Sequence, residues 1–185
     1  MRHAGGQQAL AGLERSQRPV IDAERADRLQ AAGELARCLS GDERRRAERF
    51  VFERDQRRFI VGRARLRHLL ASRLGVGPES VAFAYGPRGK AGLAARFASA
   101  DLRFNLSHSE DRAVVALCVG REVGVDVERV RRDVDTSEIA RRFFAAGESA
   151  ALLAAPEADR HAAFFRCWTG KESYLKARGD GLLAR

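Results

Sequence analysis

Apolar positions recur at helical spacing in the first part of the chain, at strand spacing in the middle, and at helical spacing again toward the end. From about Ala23 to Leu39 the pattern predicts a helix, which Ser40-Gly41-Asp42 interrupts. Asp42 is placed to cap the next helix, with carboxylates in its first turn against the positive end of the helix dipole. That helix, or helix pair, runs to about Leu74, with Phe50, Phe59, Ile60, Leu66, Leu69 and Leu70 on its apolar face. Gly75-Val76-Gly77-Pro78 stops it. Then the period changes to two. Val81, Phe83 and Tyr85 alternate before a Gly86-Pro87-Arg88-Gly89 turn, and Leu102 to Leu106 and Ala113 to Val119 read as strands. Val123, Val125 and Val127 alternate with Gly124, Asp126 and Glu128, which predicts a strand with one apolar face. Helical spacing returns at Ser137 to Phe144, Gly147 to Ala154 and Arg160 to about Ala177, and Gly179-Asp180-Gly181 ends the last helix. Residues 1–20, rich in glycine and glutamine, read as a loose leader. Helices, then strands, then helices make this an α+β chain.

Composition narrows the class. A chain of 185 residues, 45% apolar and 32% charged, is long enough to bury a core and too apolar to be disordered. No apolar run approaches the roughly 20 residues that span a bilayer, and the first residues lack the apolar core of a signal peptide. The expected compartment is the cytoplasm. Cys38, Cys118 and Cys167 lie far apart without metal or redox spacing, so they read as small packing residues.

The formal charge of +9 favours an acidic or phosphate-bearing partner. Its form says more. Of 34 basic side chains only Lys90, Lys171 and Lys176 are lysine. A compact ammonium and a planar guanidinium are not equivalent beside a phosphate, so those positions are candidates for chemistry. An arginine-rich helix also suits nucleic acid, but aromatic residues make up only 7% of the chain and do not interleave with the arginines as a base-stacking platform requires.

Four short segments carry candidate chemistry. In Gly124-Val125-Asp126-Val127-Glu128, strand alternation sends Asp126 and Glu128 to one face, where two carboxylates can share a hard cation such as Mg²⁺. The same pattern is also that of an ordinary solvated strand face. In Trp168-Thr169-Gly170-Lys171-Glu172-Ser173-Tyr174-Leu175-Lys176, helical spacing aligns Trp168, Glu172 and Lys176, and Glu172 with Lys176 is also a simple i,i+4 ion pair. Phe104-Asn105-Leu106-Ser107-His108-Ser109 places hydroxyls, an amide and an imidazole at a strand end, where they can meet phosphate oxygens. Tyr85-Gly86-Pro87-Arg88-Gly89-Lys90 is a glycine turn presenting one lysine, without P-loop spacing.

Taken in order, these segments resemble the larger, surfactin-synthetase-activating class of 4′-phosphopantetheinyl transferases. The likeness runs from about Ser40 to Leu182 through GPRGKAGL, FNLSHS, GVDVE and FRCWTGKESYLKARGDGL. It implies two similar α+β halves related by a pseudo-two-fold, residues 21–120 and 121–185, with coenzyme A in the cleft between them and a monomeric enzyme. It further implies that Asp126, Glu128 and Glu172 bind Mg²⁺ (or Mn²⁺), that Lys176 and His108 contact the pyrophosphate, and that Lys90 and Ser107 lie along the nucleotide. Arg46, Arg44 and Arg58 are the implied 3′-phosphate ligands, Lys171 supports the same anionic site, and Glu172 is the implied base. The expected activity is transfer of phosphopantetheine from coenzyme A to a serine of an acidic acyl, peptidyl or aryl carrier protein. The alternatives are a coenzyme A-binding relic without turnover and, more distantly, a basic nucleic-acid-binding domain.

The chain departs from the family at three places. Ala91 stands where a proline is common, and Gly170 sits inside a helix. The sequence stops at Arg185, where the family continues into further strands, so an incomplete second half of low stability is expected.

Overall fold

The computed structural model describes residues 20–22 and 32–180. The proposed leader and most of the helix expected from Ala23 lie outside these residues, apart from β1 (Val20–Asp22), which pairs antiparallel with a later strand, and α1 (Ala32–Ala36).

Helix α2 spans Gly41–Glu48 and begins two residues earlier than Asp42 would set it. Ser40 is its N-cap, and the Glu43 carboxylate reaches back to accept from the Ser40 N–H at 2.9 Å. A glutamate three residues past a serine satisfies a helix-start donor in this way, and Asp42 then falls within the first turn. Helix α3, Glu53–Leu74, ends at Gly75, whose φ of 67° is the left-handed conformation glycine adopts without penalty. Its inner face carries Leu66, Leu70 and Ala71, which pack with Val81, Leu102, Phe104 and Val115. Helical spacing on one face and strand spacing on the other therefore close a single core.

Arg67 lies inside that core. Its Nε donates to Glu43 at 2.7 Å, and one terminal nitrogen donates to the Pro78 and Val81 carbonyls at 3.0 and 2.8 Å. The guanidinium fork ties α2, α3 and the following turn together, and the pairing makes burial of both charges tolerable.

Strands β2 (Phe83–Tyr85) and β3 (Ala91–Leu93) form a hairpin around the Gly86–Lys90 turn. Strands β4 (Leu102–Ser109) and β5 (Arg112–Val119) form a second, longer one, and the sheet order is β1-β5-β4. β4 runs three residues past the predicted Leu106.

The strand expected at Val123–Glu128 does not form; the segment is extended but joins no sheet. It runs along β4, held by side chains. Val125, Val127 and Arg129 donate their backbone N–H groups to Asn105 Oδ1, Ser107 Oγ and Ser109 Oγ at 2.9, 3.4 and 3.1 Å. The expected two-residue alternation survives: Val125 is buried, and the Asp126 and Glu128 side chains share one side.

Three helices follow: α4 (Thr136–Phe143), α5 (Ala146–Ala154) and α6 (Glu157–Arg178). Phe144 and Trp168 stack on either side of Phe164, with ring centroids 5.3 and 5.7 Å away, and form their core. Helix α6 begins three residues before the predicted start because Pro156 caps it, and Gly179 (φ 78°) ends it. Cys38 is buried, and Cys118 and Cys167 are half-buried and free. Among the described residues no helix is long and apolar enough to cross a membrane. The α+β class read from the sequence is the class observed.

Candidate functional site

The site lies where β4, the 125–129 segment and α6 meet. Ser107 and His108 come from β4, Asp126 and Glu128 from the extended segment, and Trp168, Glu172 and Lys176 from successive turns of α6. Together they line a recess of about 300 Å³. Helical spacing of four brings the last three to one face, as the sequence predicts. A second cleft of about 350 Å³ adjoins it and shares Glu172 and Lys176.

The recess is acidic and incompletely satisfied. The Asp126 side chain is only 4% exposed. Its Oδ1 accepts from Ser107 Oγ at 2.8 Å and from Lys176 Nζ at 2.5 Å, while its Oδ2 is buried without a partner. Glu172 Oε1 is likewise buried without a partner. Burial, with the nearby Asp126 and Glu128 charges adding to it, lifts the Glu172 carboxyl above the ordinary carboxylate range against the opposing pull of Lys176. Buried acceptor oxygens normally have partners, so two orphans facing one recess mark a place for a cation or a proton. Among the described residues no three His, Cys, Asp or Glu side chains already stand together as a ligand group.

The adjoining cleft is basic. Arg46, Arg63, Arg88, Lys90 and Lys176 line it against two carboxylates, Glu172 and Asp180, so its balance favours an anion. Lys90 is held by Glu122 at 2.6 Å and by the Ala177 carbonyl at 2.8 Å, which draws the glycine turn onto the end of α6. Arg88 pairs with Asp180 across the same junction.

Several sequence candidates lie elsewhere. Arg44 donates to the Leu39 carbonyl at 2.7 Å, and Arg58 pairs with Asp111 and Asp55. Lys171 pairs with Glu148 on α5 at 2.7 Å and sits over the Phe144 ring, on a different face of α6 from Glu172. Ser107 lines the recess, but its single proton goes to Asp126 and it accepts from Lys176 at 3.0 Å and from Val127 N–H. That uses the whole capacity of a hydroxyl.

Arg63, Tyr85, Arg88 and Asp180 line the basic cleft but were not singled out from the sequence. A signal existed for Arg63: it falls four residues after Phe59 and four before Arg67 on α3, and its guanidinium lies 4.8 Å from the Phe83 ring centre. An arginine at buried-face spacing needs partners, and in this chain they are the Phe83 ring and the Glu43 carboxylate, 3.4 Å away.

A family profile described as 4′-phosphopantetheinyl transferase, N-terminal, matches residues 27–119, and one described as the 4′-phosphopantetheinyl transferase superfamily matches residues 122–185. The 4′-phosphopantetheinyl transferase HetI of Nostoc sp. is 46% identical over 149 residues, covering 80% of this chain and 63% of HetI. A 4′-phosphopantetheinyl transferase of Bacillus subtilis is 31% identical over 159 residues, covering 84% of this chain and 68% of the relative. Sfp of Bacillus subtilis strain 168 is 28% identical over 144 residues, covering 78% of this chain and 62% of Sfp. The chain thus spans less than two thirds of the length of HetI and of Sfp. With the two profiles matching residues 27–119 and 122–185 and these relatives covering most of its length, the chain belongs to the 4′-phosphopantetheinyl transferase superfamily.

Proposed function

We propose that this chain transfers the 4′-phosphopantetheine group of coenzyme A to a serine of an acidic carrier protein, releasing adenosine 3′,5′-bisphosphate. One observation carries the reading: a recess holding two buried, unpartnered carboxylate oxygens opens onto a cleft lined by five cationic side chains. A diphosphate ester fits that pairing of charges. Two similar α+β halves with the nucleotide between them belong to the same reading, and the two matched profiles abutting between residues 119 and 122 support it.

The donor set suits a divalent cation. Carboxylate oxygens are hard ligands, and Asp126 Oδ2 and Glu172 Oε1 have no other partner. Asp126, Glu128 and Glu172 would hold Mg²⁺ or Mn²⁺, which when bound neutralises diphosphate charge and stabilises charge developing in phosphoryl transfer.

The chain's own residues do the rest. Lys176, placed between the recess and the cleft, and His108 at the rim hold the pyrophosphate. Arg46 and Lys90 hold the nucleotide phosphates, joined by Arg63 and Arg88. Arg44, Arg58 and Lys171 lie outside the lining of the cleft and take no direct part in this reading. The carrier serine oxygen forms its bond to the pantetheine-linked phosphorus as the bond to the bisphosphate leaving group breaks. Glu172, as its carboxylate, accepts the serine proton. A net charge of +9 draws an acidic carrier over long range.

The test is intact-mass spectrometry of an apo carrier protein after incubation with this chain, coenzyme A and Mg²⁺. The expected result is a gain of one phosphopantetheine, lost with Glu172→Ala. No gain, while a relative such as Sfp converts the same carrier, would sink the proposal for this chain.

A further inference from the structure

Residues 125–129 follow β4 at a constant offset of twenty positions, so the two stretches run parallel. β4 has an open edge in its sheet, and a backbone ladder would be the ordinary way to hold a neighbour there. Among the described residues no such ladder forms; alternate β4 side chains do the work. Each serine serves two groups at once. Ser107 accepts Val127 N–H and donates to Asp126, and Ser109 accepts Arg129 N–H at 3.1 Å and donates to Glu128 Oε2 at 2.9 Å. The direction is forced, because a carboxylate has no proton to give.

The consequence differs for the two acids. Asp126 is buried and held from two sides, by Ser107 and Lys176. Glu128 is exposed and has a longer side chain, and Ser109 supplies its hydrogen bond. Without that hydroxyl, solvent and three free torsions decide where the Glu128 carboxylate goes.

We propose that Ser109 is a positioning residue for the acidic recess: its hydroxyl aims Glu128 at the ground shared with Asp126 and Glu172. Asn105 sets the register of the same segment by holding Val125. The inference rests on the transferase reading only in taking the occupant of the recess to be a divalent cation. A hydroxyl that orients a ligating carboxylate typically accounts for about 10–100-fold in metal affinity. Because the Ser109 contacts are exposed, their removal leaves water to satisfy Arg129 N–H and does not unfold the chain.

The experiment compares the wild-type chain, Ser109→Ala and Ser109→Thr. Amide hydrogen exchange is read at Arg129 in metal-free buffer, and Mg²⁺ and Mn²⁺ affinity by calorimetry with coenzyme A present. Coenzyme A affinity in a chelator is the control. The expected result is faster exchange at Arg129 and about 10–100-fold weaker cation binding in Ser109→Ala, with coenzyme A affinity unchanged and both effects reversed in Ser109→Thr. Unchanged Arg129 exchange in Ser109→Ala overturns the positioning role whatever the metal does. Unchanged cation affinity, or failure of threonine to restore it, overturns the link to the recess. A wild-type chain that binds no divalent cation overturns that link and the cation reading together, while the exchange result still decides the positioning.

Discussion

Gly124 presses directly on the backbone of α6: a Cβ built on it would stand 1.9 Å from the Ser173 carbonyl oxygen and 2.4 Å from Ala177 N. Neither atom belongs to a side chain that can swing aside. Any larger residue forces the acidic segment and α6 apart, and those elements carry Asp126 on one side and Glu172 and Lys176 on the other. Gly124→Ala is therefore expected to destabilise the chain by about 1–3 kcal/mol, the usual cost of overpacking, and to weaken transfer beyond that loss. Chemical denaturation and the carrier mass assay, read on the same preparation, check both.

Gly170 provides the contrast. It lies within α6, with nothing within 4 Å of where a Cβ would sit. Alanine there gains helix propensity without a clash, so Gly170→Ala is expected to stabilise by about 0.4–1 kcal/mol. A urea midpoint lower than wild type would contradict this.

Glu43 and Arg67 are each 2% exposed, and Arg63 stands 3.4 Å from the other Glu43 oxygen. Glu43→Ala strands two arginines next to the core and is expected to cost about 3–5 kcal/mol. Replacing Glu43 and Arg67 together with apolar residues of similar volume should cost clearly less, because the unpaired charge, rather than the lost contact, dominates the single variant. A double-mutant cycle by denaturation measures the difference.

Glu122 ties the first hairpin to the end of α6 through Lys90, and that hydrogen bond, aided by the Lys90 and Arg103 charges, holds its carboxyl below the ordinary range. A depressed folded-state pKa gives stability that is present above the unfolded value and is lost as pH falls through the folded one. The stability difference between wild type and Glu122→Gln should thus be largest near neutrality and vanish in acid. The pair is more than half exposed on the Glu122 side, so the effect is small and shrinks with salt. Urea melts from neutral pH down to about pH 3, below the ordinary carboxylate range, at two ionic strengths, decide it.

Arg63 and Lys171 separate cleft geometry from sequence likeness. Arg63→Gln is expected to weaken coenzyme A binding by about tenfold or more, the loss of one charge-assisted hydrogen bond. Lys171→Ala, which removes an ion pair to Glu148 outside the cleft, should leave coenzyme A affinity within about twofold, in line with ordinary surface ion pairs. Equal losses in the two variants would return Lys171 to the anion site. Calorimetric titration of coenzyme A gives both numbers.

Sequence by itself determined the fold class and which candidate side chains share a face. The change of period from helix to strand and back marked α3, β4, β5 and α6 within a few residues, because those periods follow from backbone geometry and one buried face. It also put Trp168, Glu172 and Lys176 in line, and Asp126 with Glu128, since a spacing of four on a helix or two on an extended chain needs no tertiary information. Tertiary structure decided what those groups face. Residues 123–128 have a strand's alternation, yet they join no sheet, because Asn105 and Ser107 take the Val125 and Val127 N–H groups, as Ser109 takes that of Arg129 just beyond. Side-chain competition for a backbone donor leaves no trace in hydrophobic period. Lys171 and Lys176 look alike in sequence, but five residues on a helix turn a side chain about 140° away, so one meets Glu148 and the other Asp126. Among the arginines, the family resemblance pointed to Arg44 and Arg58 and gave Arg63 no role. Only the packing of α3 against α2 and β2 set Arg63 among Glu43, Phe83 and the cleft, because the groups that satisfy a cation can be distant in the chain.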